Sequence, residues 1–199
     1  NDANCFTISE AKDGAAAGQQ VVFGAILGTG CGSGVVIDGK PLIGRNAIAG
    51  EWGHNPLPWP TSDENPGLSC DCGKFGCTET FVSGTGLERH HAALIGHRIS
   101  AEEIVSAAAS GDPQAELSLQ RYEDRLARAL AGIINMLDPD VIVLGGGMSN
   151  VTRLYDSVPK LWSQWVFSDK VETRLLPPKF GDSSGVRGAA WLWDDKTAS

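Results

Sequence analysis

The sequence predicts an α/β fold, and three observations carry that prediction. Val141-Ile142-Val143-Leu144 is a short, wholly apolar run, as expected of a strand buried on both faces of a parallel sheet flanked by helices. It leads directly into Gly145-Gly146-Gly147 and a further helical stretch; strand, glycines, then helix is the layout that puts ligands at the carboxyl end of a sheet. A second β region lies near the start of the chain, and the long segment between the two has helical periodicity.

Taken in order, Val21-Val22-Phe23-Gly24-Ala25-Ile26-Leu27 is the first strand, rich in apolar and β-branched residues. Residues 34–37 are the second, closing at Asp38-Gly39, a strong hairpin pair. Residues 40–43 continue a meander, with a glycine-rich turn over 28–34 between its first two strands. The stretch 55–69, rich in Pro, Asp, Asn and Ser, reads as an irregular loop. Ser83 or Thr85 caps a helix to about Ile95, and Ser100-Ala101-Glu102-Glu103 has capping-box spacing for another that ends before Gly111. Asp112-Pro113 opens a long helix with proline at its favoured first position. Its core face is Leu119, Tyr122, Leu126, Leu130, Ile133, Ile134 and Leu137, and Asp138-Pro139 stops it. A strand near 173–176, a Pro177-Pro178 break and a helix over 186–193 complete the expectation.

Composition excludes several classes of function. The chain has 199 residues, is 42% hydrophobic and carries a net charge of −8, so a sizeable core is available and nucleic acid is not an expected partner. No apolar run approaches the roughly 18–20 residues that cross a bilayer, and residues 1–4 do not resemble a secretory leader. A cytoplasmic enzyme is the expectation. The sequence opens on Asn1 rather than methionine and is read as part of something longer.

Five cysteines, an odd number in a chain of this length, argue against a disulfide framework. His54, Cys70, Cys72 and Cys77 instead make a complete tetrahedral donor set for zinc. Soft thiolates favour zinc over magnesium or calcium, and Gly73 and Gly76 let the backbone turn tightly between them. A full set leaves no open position, so the metal is expected to be structural. Cys5 and Cys31 are expected as free thiols packed like small hydrophobes.

Two glycine loops are candidate phosphate or nucleotide cradles: the first with Gly28, Thr29, Gly30 and Gly32, the second with Gly145, Gly146 and Gly147. Thr29 and Ser33 add hydroxyls to the first. It is not a Walker loop, and a plain tight turn is the competing reading. The acids of interest are Asp2, Glu51 and Glu79. Glu51 lies three residues before His54 and Glu79 two after Cys77, so a metal would fix the backbone carrying both. Carboxylates so held suit a polyhydroxy ligand, since each accepts several hydroxyl hydrogen bonds.

Gly50-Glu51-Trp52-Gly53-His54 followed by Cys70-Asp71-Cys72-Gly73-Lys74-Phe75-Gly76-Cys77-Thr78-Glu79 resembles the signature of the ROK sugar kinases and repressors. The opening Asn1-Asp2-Ala3-Asn4, Leu27-Gly28-Thr29-Gly30 and Gly145-Gly146-Gly147 fall in that family's order. Within it the chain is most similar to bacterial fructokinases of the mannokinase type.

The resemblance implies an actin-like ATPase (ribonuclease H-like) fold, in which two α/β domains close over sugar and ATP. Residues 1–199 then correspond to the C-terminal portion. Within them, 1–20 is a remnant of the catalytic and hinge region, and 21–199 is the large domain with its zinc loop over 54–77. The family's N-terminal domain, with its Asp-x-Gly-Gly-Thr phosphate loop, is not in the sequence, so this polypeptide alone is expected to be a very poor or inactive kinase.

By resemblance, Asp2 is the catalytic base for the sugar 6-hydroxyl, and Asn1, Glu51, His54 and Glu79 bind sugar. The loop from Gly28 takes phosphates, and Gly145 to Gly147 the adenosine. The implied activity is ATP-dependent phosphorylation of fructose or mannose, with structural Zn²⁺ and with Mg²⁺ on the nucleotide. The family also suggests a homodimer through the helices after residue 84. The alternative is the sugar-sensing domain of a ROK-type transcriptional regulator, which needs a basic helix-turn-helix segment that this sequence does not contain.

Overall fold

The computed structural model describes residues 1–181 and residue 188. The expected hairpin forms from β1 (Val21–Leu27) and β2 (Cys31–Ile37), antiparallel and in register from Val21 opposite Ile37 to Leu27 opposite Cys31. β1 also pairs in parallel with β4 (Val141–Gly145), and β4 in parallel with β5 (Arg174–Leu176). With the short β3 (Lys40–Pro41) at one edge, the mixed sheet runs β3-β2-β1-β4-β5. All five residues of β4 are buried, as its unbroken apolar run predicts.

Strand alternation divides the core in two. Val22, Val36, Val141 and Val143 meet Phe6, Ile8 and Ala11 of α1 (Asp2–Lys12) on one face. Phe23, Ala25, Leu27, Val35, Ile142 and Leu144 face the remaining helices on the other. Residues 1–20, expected as a hinge remnant, thus include a helix that packs on one face of the sheet. Asn1 caps it by accepting the Ala3 N–H at 2.8 Å.

The opposite layer holds α2 (Glu79–Val82), α3 (Gly84–Ile95), α4 (Ala101–Ala109), α5 (Pro113–Leu137) and α6 (Leu154–Trp162). Their starts follow the sequence signals. Ser83 accepts the Gly86 N–H at 2.9 Å; Ser100 and Glu103 form the reciprocal capping box; Asp112 accepts from Gln114 and Ala115 ahead of Pro113. On α5, Leu119, Tyr122, Leu126, Leu130 and Ile134 are buried, with Ile133 and Leu137 partly so.

Some expectations need correction. The glycine turn is only Gly28-Thr29-Gly30, because Gly32, Ser33 and Gly34 are already in β2. β3 stops at Pro41 rather than residue 43; proline has no N–H to extend a ladder. A short 3-10 turn, Gly147–Asn150, stands between β4 and α6 where a helix was expected to begin at once. The helix expected over 186–193 lies outside the described residues, apart from Gly188.

The irregular loop is anchored by a buried ion cluster. Glu64 receives Arg125 Nε at 2.7 Å and Arg128 Nη1 at 2.8 Å and Nη2 at 2.9 Å, both from α5, together with the Thr61 N–H at 3.0 Å. Arg128 also donates to the Trp59 carbonyl at 2.8 Å, and Trp59 stacks on Trp165 at 5.2 Å.

Burial alone would raise the Glu64 carboxyl, but the Arg128 and Arg125 hydrogen bonds outweigh it and hold the pKa at about 2, down from 4.5. Folding stability from this group is therefore complete above pH 4.5 and lost as pH falls towards 2. Glu64→Ala leaves two buried guanidiniums without their anion and is expected to cost about 3–5 kcal/mol, read from the urea midpoint. Glu64→Gln is expected to flatten the stability profile over that acid window. A wild-type acid limb in that variant would contradict the assignment.

Candidate functional site

The four predicted metal ligands do converge. Cys72 Sγ lies 3.5 Å from Cys77 Sγ, Cys70 Sγ lies 3.5 Å from His54 Nδ1, and all four donor atoms fall within 4.8 Å of one another. Local backbone chemistry builds the cluster. The Gly73 N–H and Cys70 carbonyl close a tight turn at 2.9 Å, and Gly73 and Gly76 take φ of 83° and 69°, which glycine adopts without strain. Burial and the facing thiols push Cys77 up to about 12. Three thiolates this close together would need a shared cation.

The acids gather around β2. Glu79 Oε2 accepts the Cys31 N–H at 2.9 Å, while its Oε1 lies 3.8 Å from Cys70 Sγ. A Cβ at Gly30 would stand 2.7 Å from that same Oε2. One carboxylate therefore touches both the hairpin turn and the cysteine cluster. Glu51 follows Gly50, where a Cβ would stand 3.0 Å from the Ser33 carbonyl oxygen, and the Gly50 carbonyl takes the Ser33 hydroxyl. Gly53, just before His54, packs on the Cys31 carbonyl. Burial pushes the Cys31 thiol up, and Glu79 and then Glu51 push it further, so both carboxylates act on the start of β2. Ala3 and Asn4 of α1 sit against Gly34 on the same strand. Asn1 and Asp2, immediately before them, are exposed; Asp2 Oδ1 lies 2.8 Å from the Ala3 N–H.

Beside this lies a cleft of about 640 Å³. Gly28 and Thr29 from the turn, and Gly147 with Met148 after β4, line one side of it. Gly84, Thr85 and Glu88 of α3 with Ala101, Glu102 and Val105 of α4 line the other. The two glycine loops do meet, but only in part. Gly30 faces Glu79, Gly32 faces the Ala3 Cβ, Gly145 faces the Phe6 ring, and Gly146 packs on the Leu27 carbonyl. These four support the walls rather than line the cleft. The Ser33 hydroxyl, expected as a donor to phosphate, is committed to Gly50.

Sequence reading missed the α3 and α4 walls. The available signal was Ser83-Gly84-Thr85-Gly86, a serine-capped helix whose first turn carries two glycines and no acid. Such a glycine-bearing start lets a ligand come close to the backbone, although Ser83 already takes the Gly86 N–H at 2.9 Å. The Gly84 N–H already holds the Gly28 carbonyl at 2.7 Å, which ties α3 to the hairpin turn. The arrangement can hold a phosphorylated ligand in the cleft next to a carboxylate-lined polar site on β2.

Known proteins resemble this chain in both sequence and fold. The chain is 43% identical over 196 residues to the N-acetyl-D-glucosamine kinase of Vibrio parahaemolyticus, a match covering 96% of this chain and 65% of that protein. It therefore spans about two thirds of that relative's length. Among solved structures it superposes on a ROK hexokinase from Thermus thermophilus with a TM-score of 0.87 and 29% identity, covering 98% of this chain and 65% of that one. A ROK family glucokinase from Streptomyces griseus, in complex with glucose and AMPPNP, gives 0.84 and 31%, covering 98% and 67%. The actin-like ATPase architecture expected from the sequence is thus the fold observed. The sequence model of the ROK family matches residues 1–196, and the chain belongs to the ROK family.

Proposed function

We propose that this chain forms the larger part of an ATP-dependent sugar kinase, and that its acceptor is N-acetylglucosamine. The observation that carries the reading is the convergence on β2 of α1's first turn, Glu51, His54 and Glu79, next to a cleft walled by Gly28, Thr29 and Gly147. Fructose or mannose was the expectation from the motif. The name of the 43% identical relative supports the amino sugar instead. The regulator reading is disfavoured by the Asn1-Asp2 pair, which a sensor has no chemical need to keep.

In this reading Asp2 accepts the proton of the sugar 6-hydroxyl as that oxygen bonds to the γ-phosphorus and the bond to the ADP oxygen breaks. Asn1, Glu51, His54 and Glu79 hold the ring hydroxyls, and the metal loop keeps Glu79 and His54 in register. Gly28, Thr29 and the α3 N-terminus face the phosphates, with Gly147 towards the nucleoside. Mg²⁺ bound with ATP would neutralise phosphate charge.

His54, Cys70, Cys72 and Cys77 would hold zinc. Two thiolates on a tetrahedral zinc at about 2.3 Å stand about 3.8 Å apart, and sulfur and imidazole nitrogen about 3.5 Å apart. The 3.5 Å separations here fit that ion with little adjustment.

Assayed by ADP release in the full-length protein, N-acetylglucosamine is expected to give a higher kcat/KM than fructose, mannose or glucose, and Asp2→Asn to lower kcat by about 10²–10⁴-fold. Sugar binding without turnover on any of these would instead favour the regulator. Metal analysis is expected to find one zinc per chain. Cys77→Ser should release it and lower the melting temperature, whereas full zinc content in that variant would contradict the ligand set.

A further inference from the structure

The face of the sheet beneath α1 contains an unusual depression. Gly24 on β1 and Gly34 on β2 are direct cross-strand partners, and Gly145 on β4 pairs with Ile26, two residues along β1 on the same face. Gly24 and Gly34 both face Thr7 of α1, and Gly145 faces Phe6. A Cβ at Gly24 would run into Thr7 Oγ1, with Thr7 Cβ at 3.0 Å. One at Gly145 would lie 2.8 Å from the Phe6 ring. One at Gly34 would stand 2.6 Å from Thr7 Oγ1, but also 2.7 Å from the Ala3 carbonyl oxygen and 3.0 Å from Asn4 Cα. The first two clashes are with side chains, which can move. The third is with the backbone of the helix's first turn, one and two residues beyond Asp2.

Thr7 completes the seat. It is fully buried, and its hydroxyl donates to the Ala3 carbonyl at 2.7 Å, so the atoms resting on the glycines are tied to the turn that carries Asp2. An added methyl at Gly34 cannot be absorbed by a rotamer change. Real Cβ atoms essentially never approach other heavy atoms within 3.0 Å, so the first turn would have to rise off the sheet.

We infer that Gly34 is a positioning residue for Asp2: by leaving β2 bare at this point it sets the height of α1's first turn over the sheet. Gly24 contributes through Thr7 and Gly145 through Phe6. The inference rests on the proposed role of Asp2 as base. Glycine here serves close approach rather than an unusual backbone angle, since neither Gly24, Gly34 nor Gly145 has a positive φ.

The test is steady-state kinetics on the full-length protein with melting curves on every variant. Gly34→Ala is expected to lower kcat by about a hundredfold, as for a misplacement on the ångström scale, with the KM for ATP essentially unchanged. In an Asp2→Asn background the same change should cost nothing further, because a residue acting through Asp2 has nothing left to position. Gly24→Ala should also lower kcat, and Thr7→Ala added to it should restore most of the loss.

A soluble, cooperatively melting Gly34→Ala protein with wild-type kcat overturns the inference, as does a full further loss in the Asp2→Asn background. Should Gly34→Ala fail to fold, failure of Thr7→Ala to rescue Gly24→Ala overturns it, and rescue supports it. Wild-type turnover by Asp2→Asn would instead remove the base assignment itself, and the inference with it. An inactive Asp2→Asn protein beside a fully active Gly34→Ala protein removes only the seat.

Discussion

The structure depends most on how closely three separate segments approach strand β2. The turn ends at Gly30 and the strand carries glycine at 32 and 34, and each of these positions has something resting on it: Glu79 at Gly30, Ala3 at Gly32, and the first turn of α1 at Gly34. Gly50 and Gly53 repay the contact from the other partner, packing on the carbonyls of Ser33 and Cys31. Larger side chains at these positions would hold the segments apart by their own width. Interiors have almost no spare volume to absorb such a change. A glycine-rich strand is weak by itself, and here the loss is offset by antiparallel partner strands on both sides and two covering layers.

The cysteine cluster and the Glu64 ion pairs act on the same loop at different points. His54, Cys70, Cys72 and Cys77 draw the two ends of the irregular segment together, while Arg125 and Arg128 fix its middle to α5. Without these ties, a loop so rich in proline, asparagine and serine would have little reason to adopt one shape. With them, Glu79 is delivered at 2.9 Å to the Cys31 amide, and Gly84 at 2.7 Å to Gly28. The polar site on β2 and the cleft beyond the hairpin turn therefore share one rigid support.

What the sequence discloses follows from how local each signal is. The Cys-x-Cys spacing, the caps at Ser83, Ser100 and Asp112, and the apolar run at Val141 depend on neighbours within a few residues, and all of them appear as read. The role of a glycine is set by what packs on it. Thr7 lies 17 residues from Gly24 in sequence and Phe6 far from Gly145, so Gly32, Gly34 and Gly145 look like loop glycines when they are seats. The walls of the cleft were legible only in part: Ser83-Gly84-Thr85-Gly86 marks the start of α3, but nothing near Ala101 in sequence announces that Gly28 will stand opposite. Asn1 and Asp2 look like a stray terminus until the helix they open is seen to pack on one face of the sheet.

The central claim is that the exposed carboxylate opening α1 addresses a sugar held by the acids around β2. A crystal structure of the full-length protein with N-acetylglucosamine and a non-hydrolysable ATP analogue tests it most directly. The account predicts the sugar 6-hydroxyl within hydrogen-bond reach, about 2.6–3.2 Å, of the Asp2 carboxylate, its ring hydroxyls on Glu51, Glu79 or His54, and the triphosphate against Gly28 and Thr29. A sugar bound away from β2, or bound there with its 6-hydroxyl turned from Asp2 and towards solvent, would contradict it.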